Sequence, residues 1–283
     1  MFLKLLYTVL AIGCLGVLST VNAPVLNAQV LDAGSAQVRD LPDAQAEGLT
    51  IILKNARFGV QSAGLVQADL SGLDLHAGSV KGVGFTLRQA NLNNQLILDD
   101  AKLTTGPCQL DPVALLNNHR LVFAPAVNAA VTVGISQAHL QQYIAHPKTL
   151  ERITGGLAKA TGGLLQMRLL NPRVKFLPGN KMLLDATLNM GGALESPLQM
   201  EGTLGIRDGI IGLSGTSLTA NSGAIPENFA LMIGNGLNRS IKKVQQENAL
   251  ANLVAQKVTL SKSGGLLITG TAMVSDLTFG KTK

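Results

Sequence analysis

The sequence predicts an α+β fold in which a curved antiparallel β-sheet is wrapped around or set against a few helices. Three observations lead there. Long stretches alternate apolar and polar residues at a period of two, the signature of half-buried strands. Only three segments show helical spacing, and they interrupt the strands instead of alternating with them, which argues against a parallel sheet. Finally, 31 glycines are spread over the 283 residues at the ends of the alternating runs, where tight turns join consecutive strands.

The chain opens on "MFLK", a short basic region, followed by an uncharged, mainly apolar run of 17 residues from Leu5 to Val21 and by small residues around Ala23 and Ala28. Residues 1–28 are therefore expected to be a signal peptide or an N-terminal membrane anchor. Pro24 hinders processing after Ala23 and favours Ala28. "LAIGC" imitates a lipoprotein box at Cys14, but Ala11 stands where a larger aliphatic residue is preferred and the apolar run continues past the cysteine. Retention as an anchor is the third alternative, since 17 residues lie at the lower edge of a membrane span. The expected location is the periplasm or cell envelope. Residues 29–47 lack periodicity and read as a linker or entry segment, and residues 48–283 as one domain.

Within that domain "LTIILKNARFGV", "GLVQADLSGLDLHAG", "VGFTLRQANL" and "NQLILDDAKL" read as strands with one greasy and one wet face. "ADLSG", "ANLNN" and "AKLTT" mimic pentapeptide repeats, but solenoid repeats must run in tandem to stack, and long gaps separate these. The strand "AAVTVG" then runs into "QAHLQQYI", where Leu140, Tyr143 and Ile144 fall at helical spacing and Ser136 reads as the N-cap. Pro147 stops that helix at His146. A second helix follows in "KTLERITGGLAKAT".

Four strands are expected next. "GLLQMRLLN" and "RVKFL" lead to a turn at "PGN", and "KMLLDATLNM" returns from it. In "LQMEGTLGI" Leu198, Met200, Leu204 and Ile206 share one face, and Gln199, Glu201 and Thr203 take the other; "RDG" then turns the chain into "IIGLSGTSLTA". Phe229, Ile233, Leu237, Ile241 and Val244 recur at steps of four or three and predict a third helix, in which Gly234 and Gly236 each cost roughly 1 kcal/mol against alanine. A final hairpin turns at "SGG".

Composition limits the function. Charged residues are 14% and aromatic residues 3%, tryptophan is absent, and mean hydropathy is +0.29, so the core is aliphatic. The net charge of +6 favours acidic partners. With so few rings to stack on bases, an anionic membrane surface is the expected partner and nucleic acid is not. Once the leader is removed, Cys108 is the one thiol left, so no intrachain disulfide is expected, and it reads as a small core residue and not a nucleophile.

Enzyme signatures are weak. His76, His119, His139 and His146 are scattered, so neither a metal nor another cofactor is expected. Ser136 and His139 would need a nucleophile elbow to act as an esterase pair, and the chain has no G-x-S-x-G. "GNG" at 234–236 and "GKT" at 280–282 lack the surroundings of nucleotide-binding loops.

"ADLSGLDLHAGSVKGVGFTLRQANLN", "VTVGISQAHLQQYI" and "VTLSKSGGLLITGTA" together resemble the DUF2993 family, whose characterised members are LmeA-type phospholipid-binding proteins of bacterial envelopes. The likeness runs from about Gly64 to Phe279, and the chain departs from it in the glycine-studded helix at 229–241. It implies an exported protein with helices and a curved sheet around a lipid-holding cavity, similar to lipid-transfer folds of the bactericidal permeability-increasing (TULIP) type. Shielding an acyl chain of about fifteen methylenes is worth on the order of 12 kcal/mol, and an aliphatic groove does this without catalysis. The groove candidates are Leu140, Tyr143, Ile144, Met200, Leu204, Phe229, Ile233, Leu237, Ile241 and Val244. Arg239, Lys242 and Lys243 are candidates for the phospholipid head group, and Arg168, Arg173 and Lys175 form a second basic set. Periodicity alone favours the opposite outcome, in which the same stripes close on each other as the dry core of a structural or partner-binding envelope protein. The resemblance tips the expectation toward binding, or binding with transfer, of phospholipid or another acyl-chain lipid; an esterase-type hydrolase comes third.

Overall fold

A computed structural model describes residues 45–58, 61–74, 77–92, 96–111, 114, 120–160, 167–190, 194–220, 223–224, 235, 238, 242, 253–261 and 264–278. Fourteen strands and two helices are built from them. In chain order they are β1 (Gln45–Phe58), β2 (Gln61–Asp74), β3 (Ser79–Val80), β4 (Gly82–Leu92), β5 (Leu96–Thr104), β6 (Cys108–Gln109), β7 (Arg120–Ser136), α1 (Gln137–Ala145), α2 (Pro147–Ala160), β8 (Met167–Leu177), β9 (Lys181–Met190), β10 (Leu194–Arg207), β11 (Ile210–Ala220), β12 (Gly223–Ala224), β13 (Leu253–Leu260) and β14 (Gly265–Thr278). The predicted α+β class holds at the level of a curled, mostly antiparallel sheet with few helices.

Two sheets share the work expected of one. Nine strands form the first, in the order β13-β14-β7-β5-β4-β2-β3-β6 with β1 paired to β2, and five form the second, in the order β12-β11-β10-β9-β8. The first sheet curls back on itself: Leu110, just after β6, bridges Phe123 in β7, and the Asp111 N–H donates to the Val122 carbonyl at 2.9 Å. One face of this sheet is a ladder of aliphatic cross-strand pairs. Val66 faces Leu87, Phe85 faces Leu103, Leu103 faces Val131, and Val133 faces Ile268, all of them buried. Such pairs are the unit of sheet stability, and they continue into one core that also contains the buried face of the second sheet.

Strand alternation explains both sheets. Leu198, Met200 and Leu204 in β10 are buried, and Gln199 between them is exposed. Asp208 and Gly209, both at positive φ, form the two-residue turn between Arg207 and Ile210, a type I′ geometry that matches the twist of its strands. "GLLQMRLLN" and "RVKFL" meet in one strand, β8, with a bulge inside it: pairing with β9 slips between Leu170 and Arg173, around Asn171 at positive φ and Pro172. Pro172 cannot donate to a ladder, and the bulge absorbs it without ending the strand.

Ser136 caps α1 as expected, its Oγ accepting the His139 N–H at 3.3 Å, and His146 ends that helix before Pro147. α1 rises from the end of β7 and lies against β5 and β8, tying one sheet to the other. Gln141 donates to the Pro172 carbonyl at 2.6 Å and accepts the Val174 N–H at 2.7 Å, and Gln137 accepts the Phe176 N–H at 3.1 Å. These amides occupy the outer edge of β8, which would otherwise expose unpaired backbone.

Candidate functional site

Of the predicted groove residues, five lie among the described ones. Met200 is 1% exposed, Leu204 6% and Tyr143 8%, and Leu140 and Ile144 are partly buried against the same core. Met200 and Leu204 come from the second sheet, and Leu140, Tyr143 and Ile144 from α1. Phe229, Ile233, Leu237, Ile241, Val244, Arg239 and Lys243 lie outside the described residues, as do residues 1–44. Lys242 is helical and exposed. Asn238, from the same predicted helix, is tied to β11: its side-chain amide accepts the Leu213 N–H at 2.7 Å and donates to the Leu213 carbonyl at 2.8 Å. Arg168 and Arg173 are exposed on β8, and Lys175, also exposed, pairs with Asp185 at 3.6 Å.

Among the described residues a cleft opens at the end of the first sheet where it curls closed. It has a volume of about 950 Å³ and is lined by β2, β3, β6, the loop before β6 and the first half of β7. Its wall includes Leu73, Val80 and Val127. Leu73 and Val80 are buried members of the core, and Val127 packs against it, so the aliphatic inner face borders the cleft. The polar lining comes from Asp74, Ser79, Lys81 and Gln109. Asp74 Oδ1 accepts the Ala77 N–H at 2.9 Å, which fixes the turn that leads into β3. Gln109, with its amide oriented to satisfy both groups, donates to the carbonyls of Gly78 and Ala77 across the same corner.

Two features shape this end. Strands β3 and β6 have two residues each, so the sheet narrows where the others run on. Gly72 adopts φ +56°, and a Cβ there would fall 2.6 Å from Cδ of Lys81, whose stem lies across it. Only glycine combines that backbone with that close approach. The sequence carried a sign of this in "LSGLDL", a glycine inside an alternating run, which marks a bulge or a close approach; the cleft residues were otherwise missed. Cys108 also lines the cleft, half-buried. Burial pushes its thiol pKa up, against a weaker opposing contact from Thr105.

The serine and histidine singled out in the sequence meet a carboxylate. His139 Nδ1 lies 3.0 Å from Asp99, which also accepts the Ser136 backbone N–H. Asp99 reaches them because Asp99 and Asp100 are consecutive residues turned away from the core, opposite Arg88 and Gln89, where Gln89 takes a positive φ. Burial raises the pKa of Asp99, but the hydrogen bonds from His139 and Ser136, with the charge of His139, outweigh it and hold the carboxyl below its ordinary value. Ser136 Oγ is directed to the His139 amide and caps the helix, where an attacking hydroxyl would have to face the imidazole. The cluster as drawn ties α1 to β5. Among the described residues no group of three or more His, Cys, Asp or Glu side chains is placed to hold a metal ion, and no helix is long and apolar enough to cross a membrane.

No family model matches the chain, and neither a curated protein nor a solved structure does.

Proposed function

We propose that the protein binds phospholipid or another acyl-chain lipid in the cell envelope without catalysing a reaction. One observation carries this reading: Leu73, Val80 and Val127, at the edge of a continuous aliphatic core, form a wall of an open cleft of about 950 Å³. Its size suits a small-molecule site, for which volumes of about 300–1,000 Å³ are usual. An aliphatic wall free of tryptophan fits hydrocarbon tails of many lengths. The reading moves the lipid from the groove first expected, beside Met200 and Leu204, to the closing end of the first sheet. The resemblance to envelope lipid-binding proteins agrees with it, as does the apolar leader, which lies outside the described residues.

A second reading, an envelope scaffold or partner-binding protein with a filled interior, draws support from the near-complete burial of Met200, Leu204 and Tyr143. An esterase draws less, because the Ser136 hydroxyl serves as a cap. Native mass spectrometry of the purified protein separates the first two. Adducts of lipid mass that vanish after organic extraction are the expected result, and a single unliganded mass from membranes rich in phospholipid would remove the carrier reading.

A further inference from the structure

Cations near carboxylates on this surface are paired. Arg88 and Lys102 both approach Asp100, Lys175 meets Asp185, and Lys181 lies 2.7 Å from Glu201. Lys81 differs. Among the described residues it has no carboxylate within ion-pairing distance, yet its position is fixed: its N–H donates to the Ser71 carbonyl at 2.8 Å and its stem lies over the bare backbone of Gly72. A lysine stem laid on a surface covers apolar area and keeps its ammonium in water. Here the residue that does so lines the cleft whose wall is Leu73, Val80 and Val127. The single carboxylate in that lining, Asp74, is turned to the Ala77 N–H.

We infer that the cleft selects acyl-chain lipids with an anionic head group, carboxylate or phosphate, with the Lys81 ammonium as the head-group contact and Leu73, Val80 and Val127 against the first methylenes. This rests on the lipid-binding reading above and narrows it to one class of cargo and one place. The chemistry is complementary at both ends. The aliphatic part of the lining favours an acyl chain over a sugar or a nucleotide, and a cation that has no carboxylate within ion-pairing distance among the described residues favours a negatively charged head over a neutral one. The Lys81 contact is solvent-exposed and contributes selectivity, and the chain contributes most of the affinity, because exposed ion pairs are weak while each buried methylene adds steadily.

Cys108 provides a reporter inside the cleft. The full chain is alkylated with a maleimide, and the rate at Cys108 is followed by peptide mass spectrometry in the presence of palmitate, lysophosphatidate, a monoacylglycerol of the same chain length, or inorganic phosphate alone. Palmitate and lysophosphatidate are expected to slow Cys108, the neutral lipid to do so at about fivefold higher concentration, and phosphate not at all. Lys81→Gln should raise the midpoint for the two anionic lipids about fivefold and leave that for the neutral lipid where it was, Lys81→Arg should restore it, and neither should shift the melting temperature by more than about 2 °C. Equal midpoints in the wild type and Lys81→Gln would overturn the role of Lys81. Protection by phosphate alone would make this a free-anion site and overturn the lipid assignment. A Cys108 rate unaffected by any lipid, in protein that still carries extractable lipid in native spectra, would overturn the cleft as the site and leave the carrier reading standing; protein that never carries lipid would end both.

Discussion

The two ends of the nine-stranded sheet solve the same problem in opposite ways. At the β13 end the sheet meets the five-stranded sheet edge-on, and side chains close the seam. Asn180, in the turn between β8 and β9, donates to the Val258 carbonyl at 3.0 Å and accepts the Leu260 N–H at 2.9 Å, while the Ala255 N–H reaches the Gly209 carbonyl at 3.1 Å. At the other end β3 and β6 shrink to two residues each and a cleft remains. The difference teaches where this chain uses its polar groups. At the seam they satisfy backbone that is leaving water, where an unmet donor or acceptor costs about 1–3 kcal/mol. At the cleft the Lys81 ammonium has no carboxylate within ion-pairing distance among the described residues. Polar residues that seal should matter to stability, and polar residues that line the opening should matter to binding.

The sharpest break at the β13 end is steric and displaces the strand that the seam holds. In β14, Gly270 faces Ala255 at the irregularity in β13, and a Cβ there would run into the Val254 carbonyl oxygen and come within 3.0 Å of the Ala255 Cα. Both obstacles are backbone, so no rotamer relieves them. Gly270→Ala is expected to cost about 3 kcal/mol of unfolding free energy in urea titrations, a large part of a typical domain's stability. Gly106, beside the cleft, meets nothing within 4 Å, and Gly106→Ala should stay within about 0.5 kcal/mol of wild type. Equal losses at the two positions would refute the contrast.

A milder break removes hydrogen bonds and leaves the backbone alone. Asn180 has φ +58°, which glycine adopts freely, and its own carbonyl accepts the Leu204 N–H at 2.8 Å, a bond that any residue keeps. Asn180→Gly therefore deletes only the amide and leaves the Val258 carbonyl and Leu260 N–H to find other partners. A loss of about 2 kcal/mol is expected, with faster hydrogen exchange at the Leu260 amide and none at β4 or β5. Unchanged exchange at Leu260 would show that the amide does not hold the seam.

Much of this architecture was legible in the sequence, and the reason differs by element. Strand faces followed from alternation because burial acts on one side of each strand, as Leu198, Met200 and Leu204 show. The turns at "PGN" and "RDG" followed from chemistry that positive φ demands, seen at Gly179, Asn180, Asp208 and Gly209. Periodicity carries no information about which strand edge meets which side chain, so the roles of Gln141, Asn180 and Asn238 were invisible: each contacts backbone 25 or more residues away. The cleft was missed for a related reason. Its walls come from segments that look like ordinary strand ends, and the opening arises from what β3 and β6 lack in length. The bulge at Asn171-Pro172 was equally invisible, because it depends on pairing with β9.

The smallest expected effect lies at Asp99, away from both ends of the sheet, where α1 is tied to β5. Burial raises the pKa of this carboxyl, and the bonds from His139 and Ser136 more than reverse that, so the folded value lies below the ordinary one. A carboxylate depressed in the folded state stabilises the fold above its unfolded pKa, about 3.9, and that contribution disappears as pH falls through the folded value. The wild type should therefore lose urea resistance between about pH 5 and the acid limit more steeply than Asp99→Asn, which is already less stable at pH 7 and keeps no charge to lose. The side chain of Asp99 is 31% exposed, so solvent screens the interaction and its removal should cost less than that of Asn180. Parallel pH profiles for the two proteins would mean that the tie between β5 and α1 is held by geometry alone and that the charge on Asp99 contributes nothing to it.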